Sequence, residues 1–422
     1  MTARRVIFHI DANSAFLSWT AAHRVLVLGE TLDLREIPSA VAGNRTSRHS
    51  IILAKSGPAK RCGIHTGEPL FQALEKCPGL VVVEPDYGLY VECSRHMVAL
   101  LRQVAPAVEQ YSIDEAWADM TGTESLYGPP VQAAEMLRER IHRELGFTVN
   151  IGVSTNKLLA KIAGDFQKPN RVHSLFPEEI PRKLWPLPVR DLFLVGPATE
   201  RKLRRMGIGT IGELAHAPVD QLRRTLGKQG ETIWHFANGR NADPVRQDPT
   251  ENKGYGNSVT LPRDVTDLRT AHQVLLSLCE TVGMRMRRDR RSGSCITVML
   301  RTAEFRDFTH QRQMAGTTDI TQELYEAACV AFDEAWDRKT PLRQMGVQVT
   351  KLSGERYCQF DLFSPVDPMQ YERKAKLDAA VDALRVQFGE DVIRRARFLG
   401  AELDHMAGGL SRERRTGVTK EV

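Results

Sequence analysis

Asp114 and Glu115 stand side by side in EQYSIDEAWADM, residues 109–120, and Asp11 closes the apolar run VIFHI, residues 6–10. Adjacent acids repel one another unless a cation or a basic group compensates them. Taken alone, the Asp-Glu pair reads as a solvated turn, because strands are depleted in acids. A third acid at the end of another apolar strand shifts that reading towards a shared cation site. Side chains of neighbouring residues alternate faces in a regular strand. Asp114 and Glu115 can therefore serve one site only if the backbone turns there, and that turn is expected. For Asp11 two roles stay open from the residues: a metal ligand, or an N-cap for the helix that follows.

The elements that must position these acids can be read from periodicity. Residues 6–10 form a strand running into Asp11, and AFLSWTAAHRVL (15–26) carries helical spacing. Periodicity fades over 31–50, where GNRTSRHS reads as a basic loop; SIILAK (50–55) reads as a strand, and SGPAKRCGIHTGEP as a basic, Gly- and Pro-punctuated segment. LFQALEK reads as a helix, residues 80–84 as a strand, and residues 89–104 as an amphipathic helix. Tyr111, Ser112 and Ile113 read as the end of the strand that carries the acidic pair. A helix over 130–145, the strand FTVNIGVS and the helical NKLLAKIAGDFQKPN complete an α+β layer rather than a doubly wound sheet. From Pro177 short helices with tight Gly turns make a small all-α unit, and the polar residues 243–253 read as a linker. Beyond it, strands near GYGNSVTL, CITVMLRT, HQRQM and MGVQVTKL, with helices near 266–290 and 319–337, give the order β-α-β-β-α-β. A last helix, YERKAKLDAAVDALRVQF, precedes HMAGGLSRERRTGVTKEV, a polar tail expected to be disordered.

Length and composition bound the function classes. A chain of 422 residues exceeds one core and implies two to four domains. No apolar run reaches the roughly 18–20 residues that span a membrane, and no secretory signal opens the chain, so a cytoplasmic location is expected. Seven scattered cysteines without CxxC or zinc spacing suit reduced thiols. The net charge of +6 permits a polyanionic partner without requiring one.

Three segments together carry a resemblance: HIDANSAF with Asp11, YSIDEAWAD with Asp114 and Glu115, and GVSTNKLLAKIAGDFQKPN at 152–170. In this order the chain resembles the Y-family DNA polymerases, most closely the bacterial DinB (DNA polymerase IV) group, from about residue 4 to about residue 390. The resemblance implies an α+β multidomain right-hand polymerase. Its parts would be a palm (1–20 and 79–171), small fingers (21–78), an all-α helix-hairpin-helix thumb (172–245), a linker (246–253), a β-α-β-β-α-β little finger (254–352) and a C-terminal segment (353–422). It implies a template-directed, error-prone translesion polymerase, a monomer acting on primer-template DNA and dNTPs. Two Mg²⁺ ions roughly 3.5–4 Å apart would activate the primer hydroxyl and stabilise the leaving pyrophosphate. By the family's pattern, Asp11 and Asp114 would bridge the ions, Glu115 would lie nearest the primer hydroxyl, and Ala12 would offer its carbonyl. Phe16, five positions after Asp11, matches the aromatic gate against ribose, and Lys168 in QKPN matches the lysine on the triphosphate. The family's Tyr-x-x-Arg pair falls on Gly57 and Lys60, which keeps a charge but loses the bidentate grip. Lys55 or Ser56 would have to substitute.

DNA handling is expected from two places. LVGPATERKLRRMGIGTIGEL resembles a helix-hairpin-helix with Gly196 and Gly207, although Leu194 stands at its usual first glycine. MRMRRDRRSG brings Arg287 and Arg288 to a domain that the family lays in the major groove. After it, QFDLF with Gln359, Leu362 and Phe363 resembles the sliding-clamp peptide of bacterial polymerases, here followed by 59 residues. Two alternatives stay open: a UmuC-like catalytic subunit that needs accessory partners, and a non-catalytic DNA- and clamp-binding scaffold.

Overall fold

A computed structural model describes residues 4–43, 50–247, 251–355, 368–400 and 403–408. The chain divides near residue 250 into two units, each with its own apolar core.

In the first unit, β1 (Ile7–Ala12) passes through Ser14 in left-handed backbone (φ 48°) into α1 (Ala15–Leu26). Then come β2 (Ser39–Ala42), β3 (Ile52–Lys55), α2 (Gly57–Arg61), α3 (Leu70–Lys76) and β4 (Val81–Val83), whose strands form a small sheet ordered β3-β2-β4. β2 lies within 31–50, where periodicity fades. Its four residues are all buried, so it shows no alternation, and it is too short for a period to register. Most of the basic GNRTSRHS segment, residues 44–49, lies outside the described residues.

α4 (Tyr87–Val104) leads to β5 (Ala107–Gln110) and β6 (Glu115–Asp119), followed by α5 (Glu124–Tyr127), α6 (Pro130–Leu145), β7 (Val149–Ser154), α7 (Lys157–Asp165) and β8 (Val172–Ser174). The main sheet is ordered β5-β6-β1-β7-β8, with β1 central and antiparallel to both neighbours and only β7 and β8 parallel. β7 is buried at all six positions, the continuous apolar reading of a strand covered on both faces. α7 lies so close to it that a Cβ on Gly152 would fall 1.8 Å from the Ala160 carbonyl oxygen. Five short helices follow: α8 (Ile180–Lys183), α9 (Pro197–Arg205), α10 (Ile211–His216), α11 (Val219–Leu226) and α12 (Lys228–Ala237). They share a core of Leu203, Ile211, Leu222 and Ile233 with Leu159 of α7.

The second unit has the β-α-β-β-α-β order: β9 (Gly254–Val265), α13 (Leu268–Arg288), β10 (Ser292–Thr302), β11 (Asp307–Thr318), α14 (Thr321–Ala335) and β12 (Leu342–Ser353). The sheet is antiparallel throughout, ordered β11-β10-β12-β9, with α13 on β9 and β12 and α14 on β10 and β11. α15 (Pro368–Phe388) comes last. The expectation of a disordered tail from His405 onwards needs correction. His405 (3% exposed), Met406 (0%) and Ala407 (6%) are buried against this unit. Ser277 Oγ donates to the Asp404 carbonyl (2.6 Å) and accepts from Ala407 N (2.8 Å). Residues 409–422 lie outside the described residues. Among the described residues no helix is long and apolar enough to cross a membrane.

Candidate active site

β1 and β6 pair with Asp11 opposite Glu115, which sets two of the three acids side by side across the sheet. Asp114 lies one residue beyond the ladder, and its carbonyl accepts from Ala12 N (3.0 Å). The expected bend at the acidic pair lies over Ser112 to Asp114, and Glu115 already belongs to β6. β5 stops at Gln110, so Tyr111 to Ile113 belong to the hairpin rather than to a strand end. Ser112 organises this hairpin: its hydroxyl donates to Asp114 Oδ1 (2.6 Å) and accepts from Glu115 N (3.0 Å). The N-cap alternative for Asp11 is ruled out, because α1 starts after Ser14 and has no side-chain cap.

Two lysines hold two of these carboxylates. Lys168 Nζ donates to Asp11 Oδ2 (2.5 Å) and also pairs with Asp165 (2.8 Å). Lys161, on α7, donates to Glu115 Oε2 (2.6 Å). Burial raises Asp11 above its ordinary value, with Lys168 opposing and the Glu115 charge adding to it. Glu115 is held down at about 2: burial alone would raise it, but His9 and Lys161 outweigh that. His9 Nε2 stands 3.6 Å from Glu115 Oε2, beyond hydrogen-bond length. Burial would lower Lys168, yet the neighbouring Asp11 and Asp165 raise it.

Beneath the acids, the fully buried Asn150 ties the segment that carries Lys168 to β1. It donates to the Gly164 (2.9 Å) and Gln167 (2.7 Å) carbonyls and accepts from Asn13 Nδ2 (3.1 Å). Asn13 in turn accepts from Asn170 N (2.9 Å). Ser112, Asn150 and Lys161 were not singled out from the sequence. The signal available for Asn150 was the one amide in β7, whose other residues apart from Ser154 carry no polar side chain.

Asp11, Asp114, Ala12, Phe16, Lys60 and Lys168 line one pocket of about 440 Å³. Glu115 is turned away from it onto Lys161. Phe16 is half-buried and stacks on Tyr90 of α4, with centroids 4.4 Å apart and planes 5° from parallel. Lys55 and Gly57 line the same pocket. The Ser56 hydroxyl caps α2 at Ala59 N (3.1 Å) and donates to the Ile37 carbonyl (2.7 Å), so it is spent on structure.

Among the described residues no three carboxylate, imidazole or thiol groups close around one point, since Asp11 is drawn to Lys168 and Glu115 to Lys161. The donor set itself fits a hard divalent cation: three carboxylates and a main-chain carbonyl, all oxygen. The raised Asp11, pushed by burial and by Glu115, is a charge conflict that such a cation relieves.

In the second half of the first unit, Gly196 is the N-cap of α9, and Gly207 (φ 80°) turns the chain from α9 towards α10. Leu194, in the place of a glycine, adopts φ 69°. Arg287 is not available to a phosphate and is a correction: only 8% of its side chain is exposed, and Asp382 and Asp378 hold it. Arg288 lies at the surface beside Asp289 (2.9 Å). Gln359, Leu362 and Phe363 lie outside the described residues.

The impB/mucB/samB family model matches residues 10–165, its C-terminal-domain model matches 252–362, and the family's HHH-motif model matches 177–208. The chain is 41% identical over 402 residues to the DNA polymerase IV of Clostridium acetobutylicum, across 94% of this chain and 99% of that one. It is 36% identical over 409 residues to DNA polymerase IV 2 of Bacillus subtilis, across 95% and 96%. A solved Y-family DNA polymerase chimera shares the fold, with a TM-score of 0.70 and 22% identity over 82% of this chain and 98% of that one.

Proposed function

The chain belongs to the impB/mucB/samB family, the Y-family of DNA polymerases, and from that premise we propose how its residues carry out template-directed translesion DNA synthesis. Palm (1–20 and 79–171), fingers (21–78), thumb (172–245) and little finger (254–352) are the proposed divisions of labour.

Asp11, Asp114, Glu115 and the Ala12 carbonyl are the proposed ligands. When bound by these residues, two Mg²⁺ ions would lower the pKa of the primer 3′-hydroxyl and neutralise charge at the leaving pyrophosphate. The observation that carries this reading is one pocket lined by Asp11, Asp114, Phe16, Lys60 and Lys168. Lys168 places a point charge on the triphosphate and must leave Asp11 to do so. Lys60, with Lys55 beside it in the lining, grips the triphosphate by charge without the fork of an arginine. The Phe16 ring fills the space of a ribose 2′-hydroxyl and selects deoxynucleotides. The thumb hairpin at Gly196 and Gly207, with Arg288, contacts phosphates of the duplex in a sequence-independent way. Gln359, Leu362 and Phe363 form the proposed sliding-clamp peptide.

Primer extension by the purified full chain with Mg²⁺ and dNTPs tests this reading, with Asp114→Ala as control. Extension by a few nucleotides and its loss in the variant are expected. No extension by the unmutated protein, alone or with clamp, overturns the reading. Replacing Leu362 and Phe363 by alanine should abolish clamp pull-down and leave basal extension intact.

A further inference from the structure

We propose that the outward face of α15 is a docking surface for an acidic, amphipathic helix of a partner protein. α15 is mounted with its charged side inward. Asp378 (5% exposed) and Arg385 (3%) are buried, yet no α15 side chain belongs to the buried apolar core of its unit. The attachment is ionic. Arg287 Nε and Nη2, from α13, donate to the two Asp382 oxygens (2.6 and 3.0 Å), and its Nη1 donates to Asp378 Oδ2 (3.2 Å). Asp378 also accepts from Thr321 N at the start of α14 (2.7 Å). Arg385 donates to the buried Glu280 of α13 (2.5 Å), which Arg395 also contacts.

The flank about a quarter-turn round the helix from these groups carries Leu377 (57% exposed), Leu384 (40%) and Phe388 (60%), with Val381 half-buried between them. These residues recur at i, i+4, i+7 and i+11, a single stripe of about three helical turns and roughly 16 Å. Rotating α15 to bury the stripe would take both carboxylates from Arg287 and leave Glu280 with Arg395 alone, at about 3–5 kcal/mol per broken pair. The ion pairs therefore fix the stripe facing out, where a continuous apolar row marks an interaction site.

The flanking charge selects the occupant. Arg373, Lys374 and Lys376 stand against Glu372 alone at the N-terminal end of the stripe. A second copy packed in parallel would bring these like charges together. The chain's last residues, GLSRERRTGVTKEV, are basic as well. An acidic helix with its own apolar row satisfies both the stripe and the charge.

The test uses the full chain and a labelled amphipathic helical peptide of about 20 residues, with leucines at i, i+4, i+7 and i+11 and glutamates beside them. Binding is read by fluorescence anisotropy, alongside a charge-reversed peptide with lysines in place of the glutamates. Saturable binding of the acidic peptide that weakens with salt supports the proposal. So does a loss of about tenfold, or ~1.4 kcal/mol, in the double variant Leu384→Ser, Phe388→Ser. Val386→Ser, exposed but away from the stripe, should leave affinity unchanged, and all three proteins should keep their thermal midpoint and primer extension. No saturable binding, or equal affinity for the charge-reversed peptide, overturns it. Self-association that the double variant abolishes overturns it in favour of a second copy. Tighter peptide binding after Leu362→Ala and Phe363→Ala overturns it in favour of this chain's own residues 356–367.

Discussion

Behind the Phe16 ring, Tyr90 stacks at 4.4 Å, while its hydroxyl shares a hydrogen bond with Thr20 Oγ1 (3.1 Å), also on α1. A gate excludes a hydroxyl group only if the ring cannot retreat, and a fully buried Tyr90 leaves it nowhere to go. Phe16→Ala should raise ribonucleotide incorporation by roughly 10–200-fold, the range that one apolar contact gives to selectivity. Tyr90→Met keeps volume but loses the stacked plane, and should relax discrimination by a smaller factor while dNTP turnover persists. Single-nucleotide incorporation with dNTP and rNTP side by side checks both, and unchanged discrimination in Phe16→Ala would refute the gate. Arg287 supplies the opposite lesson. Read as sequence it belongs to a basic run, but the structure spends it on Asp378 and Asp382. Arg287→Ala should cost about 3–5 kcal/mol of stability. It should leave the salt dependence of DNA binding unchanged, where loss of a phosphate contact would reduce the slope by about one. Nothing in the linear sequence distinguishes Arg287 from Arg288, because their fates depend on a helix about 90 residues downstream.

Elements with a clear period were legible: α1, α3 and α6 start and end where the apolar spacing put them. What escaped was either too short for a period, as with β2 and α2, or decided by long-range contacts. The acidic pair was legible as a site that needed a bend, but Ser112 as the residue that makes the bend was not. The face presented by α15 was illegible too, because periodicity shows a stripe and not which way it points. The Glu280 ion pairs that decide it have a pH signature. Burial would raise the Glu280 carboxyl, but the charges of Arg395 and Arg385 outweigh this and hold it below the ordinary value. A carboxyl depressed in the folded state adds stability above its unfolded pKa, about 4.3, and that stability is lost as pH falls through the folded value. The urea midpoint of the wild type should therefore fall below about pH 4. Glu280→Gln should be weaker by about 3–5 kcal/mol at neutral pH and flatter between about pH 5 and pH 3. Equal slopes in the two proteins would remove Glu280 from the account.

At the scale of the whole molecule, the two units fill separate cores. Phe8, Trp19 and Ile151 lie in one, and Ile296, Leu324 and Val347 in the other. Val245 still packs on Ile7, Trp117 and Ala160 of the first unit, and the chain passes to the second near residue 250. Chains built this way depart from two-state unfolding. Scanning calorimetry of the full chain should therefore resolve two transitions, and single substitutions should assign them. Glu280→Gln acts only on the ion pairs of α13 and should lower one transition. Gly152→Ala must push α7 off β7, since the added Cβ would meet the Ala160 carbonyl oxygen at 1.8 Å, and should lower the other. The Gly152 variant should also lose primer extension, because α7 carries the Lys161 that holds Glu115. The Glu280 variant should keep it at temperatures below its own transition. One transition that both substitutions shift together would mean that the units unfold as a single cooperative body, and the assignment of separate cores to separate stabilities would fall.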